Sequence, residues 1–289
     1  MSEQQRVSAE LRARLSLEKH QFHTTHALGQ NFILSDSFIG HLLDICGIVD
    51  DDNVLEIGPG AGVMTRQLAD RAGRVLAIEI DRELQPVLDE VLADAVNARV
   101  LYQDFMKADM ARLVGESFGD SPYRVVANLP YYITADILLR LATCACPPES
   151  ICIMVQKEAA ERLMSSPGSK QWCALAANIQ FFGTIEVLEE VPPEVFNPPP
   201  HVMSCFLRID RHETPIVSPR DRGTFLRLIN ASFAMRRKTL ANNLKAAFGL
   251  DQAGAVAALT EAGLDPRVRG EALSLEELCR LSDVISETT

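Results

Sequence analysis

The chain has 289 residues, 47% of them apolar and 23% charged, which is enough for a sizeable core and about two domains. No apolar run approaches the ~20 residues of a bilayer span and the first 25 residues hold no hydrophobic signal segment, so a cytoplasmic protein with no membrane contact is expected. The net charge of −11 argues against nucleic-acid binding by the chain as a whole, and the seven scattered cysteines, with no second pair to join Cys144 and Cys146, read as reduced thiols rather than a metal site.

Residues 1–25 read as a mobile leader. Ala27-Leu28-Gly29-Gln30-Asn31-Phe32-Ile33 then forms a loop, followed by Ser35 or Asp36 as a helix cap and by Phe38, Ile39, Leu42, Leu43 and Cys46 at helical spacing. Val54 to Ile57 reads as a short buried strand that runs into Gly58-Pro59-Gly60-Ala61-Gly62 and a helix from Met64 to Ala69. Glycines there let the backbone approach a ligand closely. A second strand, Arg74 to Ile80, places Glu79 21 residues after Gly58, the spacing at which an acid accepts from ribose hydroxyls in nucleotide-binding α/β units. The glycine pattern is shorter than a dinucleotide fingerprint and there is no phosphate loop, so it fits S-adenosylmethionine better than NAD or ATP. A third strand, Arg99 to Gln103, ends in Asp104-Phe105, an acid and an aromatic suited to an adenine ring, although Asp104 alone reads equally as a helix cap.

The fourth strand, Arg124 to Ala127, ends in Asn128-Leu129-Pro130-Tyr131. Pro130 fixes its own φ and biases Leu129 toward an extended conformation, so the Asn128 amide oxygen and the Leu129 carbonyl become two acceptors held in fixed directions. Beside them the Tyr131 ring suits stacking on a base. The four residues by themselves read more simply as a turn after a strand; three preceding strands that also end in polar groups favour a pocket for a ring carrying an exocyclic amine. Downstream, Thr134 is expected to cap a helix, Ile151 to Val155 reads as a strand, and Gln156-Lys157-Glu158 opens another helix. Two further strands, Ile185 to Leu188 and Val202 to Ile209, flank a proline-rich segment whose Phe196 suits either the pocket or a buried anchor. After a break at 210–219 the pattern is helical: 225–233, 236–248, 253–262 and a last helix with Ser274 and Glu277 as a capping box. Charge also changes here, with +1 over residues 206–289 against −12 for the rest. Between 220 and 245, Arg220, Arg222, Arg227, Arg236, Arg237, Lys238 and Lys245 face Asp221 alone, which suits phosphates or a solvated helix face.

Leu28-Gly29-Gln30-Asn31-Phe32, Glu56-Ile57-Gly58-Pro59-Gly60, Asn128-Leu129-Pro130-Tyr131, Gln156-Lys157-Glu158, Phe196-Asn197-Pro198-Pro199-Pro200-His201-Val202-Met203-Ser204, Arg236-Arg237-Lys238-Thr239 and Gly263-Leu264-Asp265-Pro266-Arg267 together resemble the small-subunit rRNA adenine N6-dimethyltransferases of the KsgA type. The resemblance spans roughly residues 22 to 285. It implies a Rossmann-like, class I S-adenosylmethionine-dependent methyltransferase domain with a seven-stranded sheet over 26–212, and a small all-helical, RNA-engaging domain over 213–289. The reaction implied is dimethylation of N6 on each of two adjacent adenosines in a hairpin loop near the 3′ end of 16S rRNA, by a monomer acting on an assembling small subunit. Carried over by position, Asn31 and the Ile33 backbone meet the methionine end of the cofactor, Gly58 gives the close approach, Glu79 holds the ribose, Asp104 the adenine, and Asn128 touches cofactor and substrate. Asn128, Leu129, Tyr131 and Phe196 serve the target base, Arg236, Arg237 and Lys238 serve RNA, and no metal is called for. Position 132 is Tyr where many members have Asn, and Thr24-Thr25-His26-Ala27-Leu28 stands where the family often places a basic residue. Two further readings share these motifs: the macrolide-resistance methyltransferases of 23S rRNA, and a ribosome-assembly factor without catalysis.

Overall fold

The computed structural model describes residues 8–22 and 29–288. The described residues form two compact units: those up to Ala160 with Ile185–Arg211, and Glu161–Thr184 with His212 onward. In chain order the strands are β1 (Phe32–Ile33), β2 (Asn53–Ile57), β3 (Arg74–Glu79), β4 (Ala98–Tyr102), β5 (Arg124–Asn128), β6 (Ser150–Gln156), β7 (Gly183–Val191), β8 (Phe196–Asn197) and β9 (Ser204–Arg211). The helices are α1 (Ala9–Lys19), α2 (Asp36–Cys46), α3 (Val63–Ala69), α4 (Gln85–Val91), α5 (Met110–Phe118), α6 (Tyr131–Thr143), α7 (Lys157–Leu163), α8 (Ala174–Phe182), α9 (Arg222–Ala234), α10 (Leu240–Phe248), α11 (Gln252–Glu261) and α12 (Leu275–Thr288). Among the described residues no helix is long and apolar enough to cross a membrane.

The first unit is built on a seven-stranded sheet in the order β4-β3-β2-β5-β6-β9-β7. β2, β5 and β6 carry unbroken apolar runs apart from Glu56, as parallel strands covered on both faces must. β9 returns antiparallel to β6, with Gln156 opposite Ser204. Strand order reverses between β2 and β5, whose parallel register sets Ile57 beside Ala127. The Gly58 loop and Asn128 therefore leave the sheet side by side, at the point where open α/β sheets hold ligands. A separate two-stranded ribbon pairs β1 with β8, Ile33 opposite Phe196.

The second unit is all helical around a core that includes Trp172, Phe225, Leu228, Ile229, Leu240, Leu244, Leu259 and Leu278. The expected capping box forms at α12: Ser274 N–H donates to Glu277 Oε2 at 2.9 Å, and Glu277 N–H donates to Ser274 Oγ at 3.3 Å.

Several local expectations differ from the structure. Part of the leader is a folded helix, α1, in which Ala13 and Ser16 are buried and Ser16 and Lys19 both reach Glu90 on α4; its low apolar content hid the small buried face. Leader residues 1–7 and 23–25, and the segment 24–28, lie outside the described residues. Thr134 sits inside α6, its hydroxyl donating to the Pro130 carbonyl at 3.1 Å, because the helix begins directly after Pro130. Arg236 to Lys238 are not helical: α9 ends at Ala234 and α10 starts at Leu240, after Thr239. Residues 161–184 also cluster with the second unit, since Trp172, Ala176 and Ala177 belong to its core, so the sequence boundary near 212 divides that unit.

Candidate active site

The ends of β2, β3, β4 and β5 surround a cleft of about 1010 Å³, counting its open mouth, with a lining that includes Gln30, Asn31, Phe32, Ile33, Glu56, Gly58, Glu79, Asp104, Phe105, Asn128, Leu129 and Tyr132. Gly58 and Gly60 adopt φ of +72° and +54°. A Cβ on Gly60 would stand 2.9 Å from the Phe32 ring, and one on Gly58 3.3 Å from Leu129 Cδ2, so the loop closes on its neighbours only with glycine in both places.

Glu79 ends β3 almost fully buried and fastens this loop. Its Oε2 accepts from Gly60 N–H at 3.2 Å and its Oε1 from Asp81 N–H at 2.8 Å, while burial outweighs these bonds and raises its pKa above the ordinary range. Asp104 accepts from Met106 N–H at 2.9 Å, capping a short turn, so its role as a cap and its place on the pocket wall hold together. Asn128 Nδ2 donates to the Asn31 carbonyl at 3.1 Å, which leaves its Oδ1 as an acceptor. The first loop is thus stitched to the end of β5.

Two aromatics expected to serve the target base make their own contacts outside the described cleft wall. Tyr131 is absent from the wall and its hydroxyl meets Ser204 Oγ at 2.6 Å on β9; burial raises its pKa. Phe196 is 4% exposed and belongs to the core of the first unit, because its pairing opposite Ile33 turns the ring inward. It is the anchor rather than the wall. Tyr132 is on the wall and is 64% exposed.

Several supporting residues escaped the sequence reading. Gln30 Nε2 donates to Asp81 Oδ2 at 2.8 Å, joining the first loop to the end of β3. Arg140 on α6 donates to the Met106 carbonyl at 2.7 Å and to the Ala108 carbonyl, with its guanidinium 5.7 Å from the Phe105 ring centre, so it holds the turn after Asp104. Gln30 lies within the Leu28-to-Phe32 motif, in which nothing marks it as a tie to β3, and Arg140 carries no local signal. Glu56 did: it is the one acid inside a buried apolar strand, and burial pushes its pKa up to about 8. In the second unit Arg236 is engaged, its Nη2 3.1 Å from Glu271 Oε2 and 3.1 Å from the Lys170 carbonyl, whereas Arg237 and Lys238 are exposed.

The described wall has three acids, Glu56, Glu79 and Asp104, and no Lys, Arg or His. Burial keeps Glu56 protonated near neutral pH, so it adds no charge, yet a wall with acids and no cation still disfavours phosphates and suits a ligand with a cationic centre, hydroxyls and an apolar ring. A family model for ribosomal RNA adenine dimethylase matches residues 20–287. The chain belongs to this family. Ribosomal RNA small subunit methyltransferase A of Geobacillus sp. (strain WCH70) is 40% identical over 280 residues, 95% of this chain and 96% of that protein. The enzyme of the same name from Shouchella clausii (strain KSM-K16) is 40% identical over 285 residues, 98% and 96% of the two chains. Among solved structures, a dimethyladenosine transferase from Plasmodium falciparum matches with a TM-score of 0.67 at 22% identity over 86% of this chain and 94% of that one, which supports the fold. The 23S rRNA methyltransferase ErmE matches with a TM-score of 0.62 at 26% identity, over 89% and 100%. This rRNA adenine dimethylase has the Rossmann-like fold with a helical second unit that its motifs implied, and is a methyltransferase dependent on S-adenosylmethionine. Its acid-lined cleft, with no cation on the described wall, fits that sulfonium cofactor.

Proposed function

We propose that this enzyme dimethylates N6 of two adjacent adenosines in the 3′-terminal hairpin loop of 16S rRNA, acting as a cytoplasmic monomer on an assembling small subunit. The observation that carries the reading is one cleft whose described wall combines acids without cations with Asn128, whose Nδ2 is committed to the Asn31 carbonyl so that its Oδ1 is left to accept. The relatives at 40% identity favour the small subunit over the 23S-type substrate of the 26% neighbour.

Glu79 and Asp104 hold the ribose and adenine of the cofactor, the Gly58 loop admits its backbone contact, and Asn31 with the Ile33 backbone lines its methionine end. Bound S-adenosylmethionine supplies an electrophilic methyl group. Asn128 Oδ1 and the Leu129 carbonyl accept from the target N6 hydrogens and draw the amine toward a tetrahedral geometry. That counters the delocalisation of its lone pair into the ring, so positioning and fixed dipoles lower the barrier. The target base has to leave its stack to reach these acceptors.

Purified protein incubated with S-adenosylmethionine and unmethylated small subunits, beside 23S rRNA and DNA controls, is to be digested and its nucleosides weighed by mass spectrometry. N6,N6-dimethyladenosine from small subunits alone is the expected result. Product only from 23S rRNA reassigns the substrate, and tight RNA binding without product sinks the catalytic reading.

A further inference from the structure

Asp104 caps a turn of only three residues, Phe105–Lys107, just past the end of β4, and a turn this short does little to fix where its carboxyl points. Its own bonds are few. Asp104 Oδ1 accepts from Met106 N–H at 2.9 Å, while Lys107 N–H and Ala108 N–H donate to the Asp104 and Phe105 carbonyls at 3.0 and 3.2 Å. The anchor comes from the last turn of α6, where Arg140 Nη1 donates to the Met106 carbonyl at 2.7 Å and Nη2 to the Ala108 carbonyl. We propose that Arg140 is a positioning residue for cofactor recognition, fixing this turn so that the Asp104 carboxylate is held where it accepts from the adenine amine; this rests on Asp104 taking the adenine of the cofactor.

An arginine in the last turn of a helix ordinarily answers the carbonyls of its own helix. This one reaches a segment 32 to 34 positions away. Its Nε is buried without a partner, so the two carbonyls orient the guanidinium at the expense of its remaining donor. A planar fork on two carbonyls two residues apart sets direction as well as distance, which a point charge does not. The guanidinium carbon also lies 5.7 Å from the centre of the Phe105 ring, itself buried on the cleft wall. Met106 carries the restraint onward, because its N–H holds Asp104 and its carbonyl is held by Arg140. With Oδ1 committed to Met106, Asp104 Oδ2 has only the exposed Lys107 ammonium at 3.3 Å, a weak surface pair that leaves it able to accept from a ligand.

The test measures calorimetric binding of S-adenosylhomocysteine and of S-inosylhomocysteine, in which an oxo group replaces the adenine amine, to free wild type, Arg140→Ala and Arg140→Lys. Wild type is expected to prefer the adenosyl compound. Arg140→Ala is expected to bind that compound about 10- to 100-fold more weakly, the scale of one charge-assisted hydrogen bond, and the inosyl compound within about threefold of wild type, so the preference collapses. Arg140→Lys keeps the charge without the fork and is expected to fall between. In methylation of small subunits by Arg140→Ala, KM for S-adenosylmethionine rises by the same factor while kcat at saturating cofactor stays within about threefold of wild type. An alanine variant with the wild-type preference overturns the proposal, as does equal loss of both compounds or a kcat defect with KM unchanged. Should the alanine variant fail to fold, Arg140→Lys decides alone: a reduced preference supports the role and an unaltered one overturns it. Wild type without any preference fails the assignment of Asp104 to adenine, and the positioning role with it; wild type that discriminates beside an alanine variant that discriminates equally fails Arg140 alone.

Discussion

Asn128 holds the first loop with its Nδ2, and in the proposed reaction its Oδ1 receives the reacting amine, so truncating it removes both the brace and the proposed acceptor. Removing one preorganised polar group of this kind commonly costs ~10²-fold or more in turnover. Asn128→Ala is expected to lower kcat by at least that factor while RNA affinity stays within a few-fold, checked by single-turnover methylation beside filter binding; equal turnover in mutant and wild type removes the assigned role. Glu56 makes a different prediction. Its carboxyl has an ordinary value of 4.5 when unfolded and about 8 when buried, so between those pH values the folded chain holds a proton that the unfolded chain has released. Stability therefore falls as pH rises through that window, by up to about 5 kcal/mol for this group. Glu79, also raised, acts in the same direction. In Glu56→Gln the decline between about pH 5.5 and 8.5 is expected to shrink by several kcal/mol in urea unfolding, and a slope equal to wild type would rule out the buried acid as its source.

Packing between elements sets a sharper constraint at Gly270 than any motif does. A Cβ there would come 2.1 Å from the Ser232 carbonyl oxygen on α9, an oxygen that also accepts from Asn243 Nδ2 of α10 at 3.1 Å. Three segments converge on one peptide, so neither neighbour yields cheaply. Gly270→Ala is expected to destabilise the protein by about 3 kcal/mol or more, seen as a lower urea midpoint with loss of helical signal; an unchanged midpoint would mean that the turn shifts freely. Nothing near Gly270 in the chain announces this, because the clash is with a residue 38 positions away. The strand ends were legible for the opposite reason: Val54–Ile57 and Val125–Ala127 are continuous runs of buried strand, and the residues just past such runs in a parallel sheet form the ligand edge. Gly58, Glu79, Asp104 and Asn128 could be placed from sequence because each ends a strand or lies just beyond one. The aromatics could not. Whether Tyr131 or Tyr132 faces the cleft depends on where α6 begins, and Phe196 turns inward only because β8 pairs with β1, a two-residue ribbon whose partners are over 160 positions apart.

Across the whole molecule the charge is uneven, −12 over residues 1–205 and +1 over 206–289, so RNA affinity has to rest on local cations rather than on the net field. Arg236, Arg237 and Lys238 are not equivalent in this respect. Arg236 is already held by Glu271 and the Lys170 carbonyl, and an ion pair with side chains 46% and 30% exposed adds at most about 1 kcal/mol to stability. Its charge is partly answered before RNA arrives. Arg237 and Lys238, exposed in the turn between α9 and α10, keep theirs available for phosphates. Each phosphate contact to a single strand contributes about 0.7 to the slope of log K against log salt, and slightly more on a duplex. Arg237→Ala with Lys238→Ala is therefore expected to weaken RNA binding and flatten that slope by about 1.4, whereas Arg236→Ala alone changes it less than either. Filter binding of 16S rRNA between about 50 and 200 mM salt measures this directly. A double variant with the wild-type slope would show that the phosphates are met elsewhere, and the same slope change from Arg236→Ala alone would show that its pairing with Glu271 gives way when RNA binds.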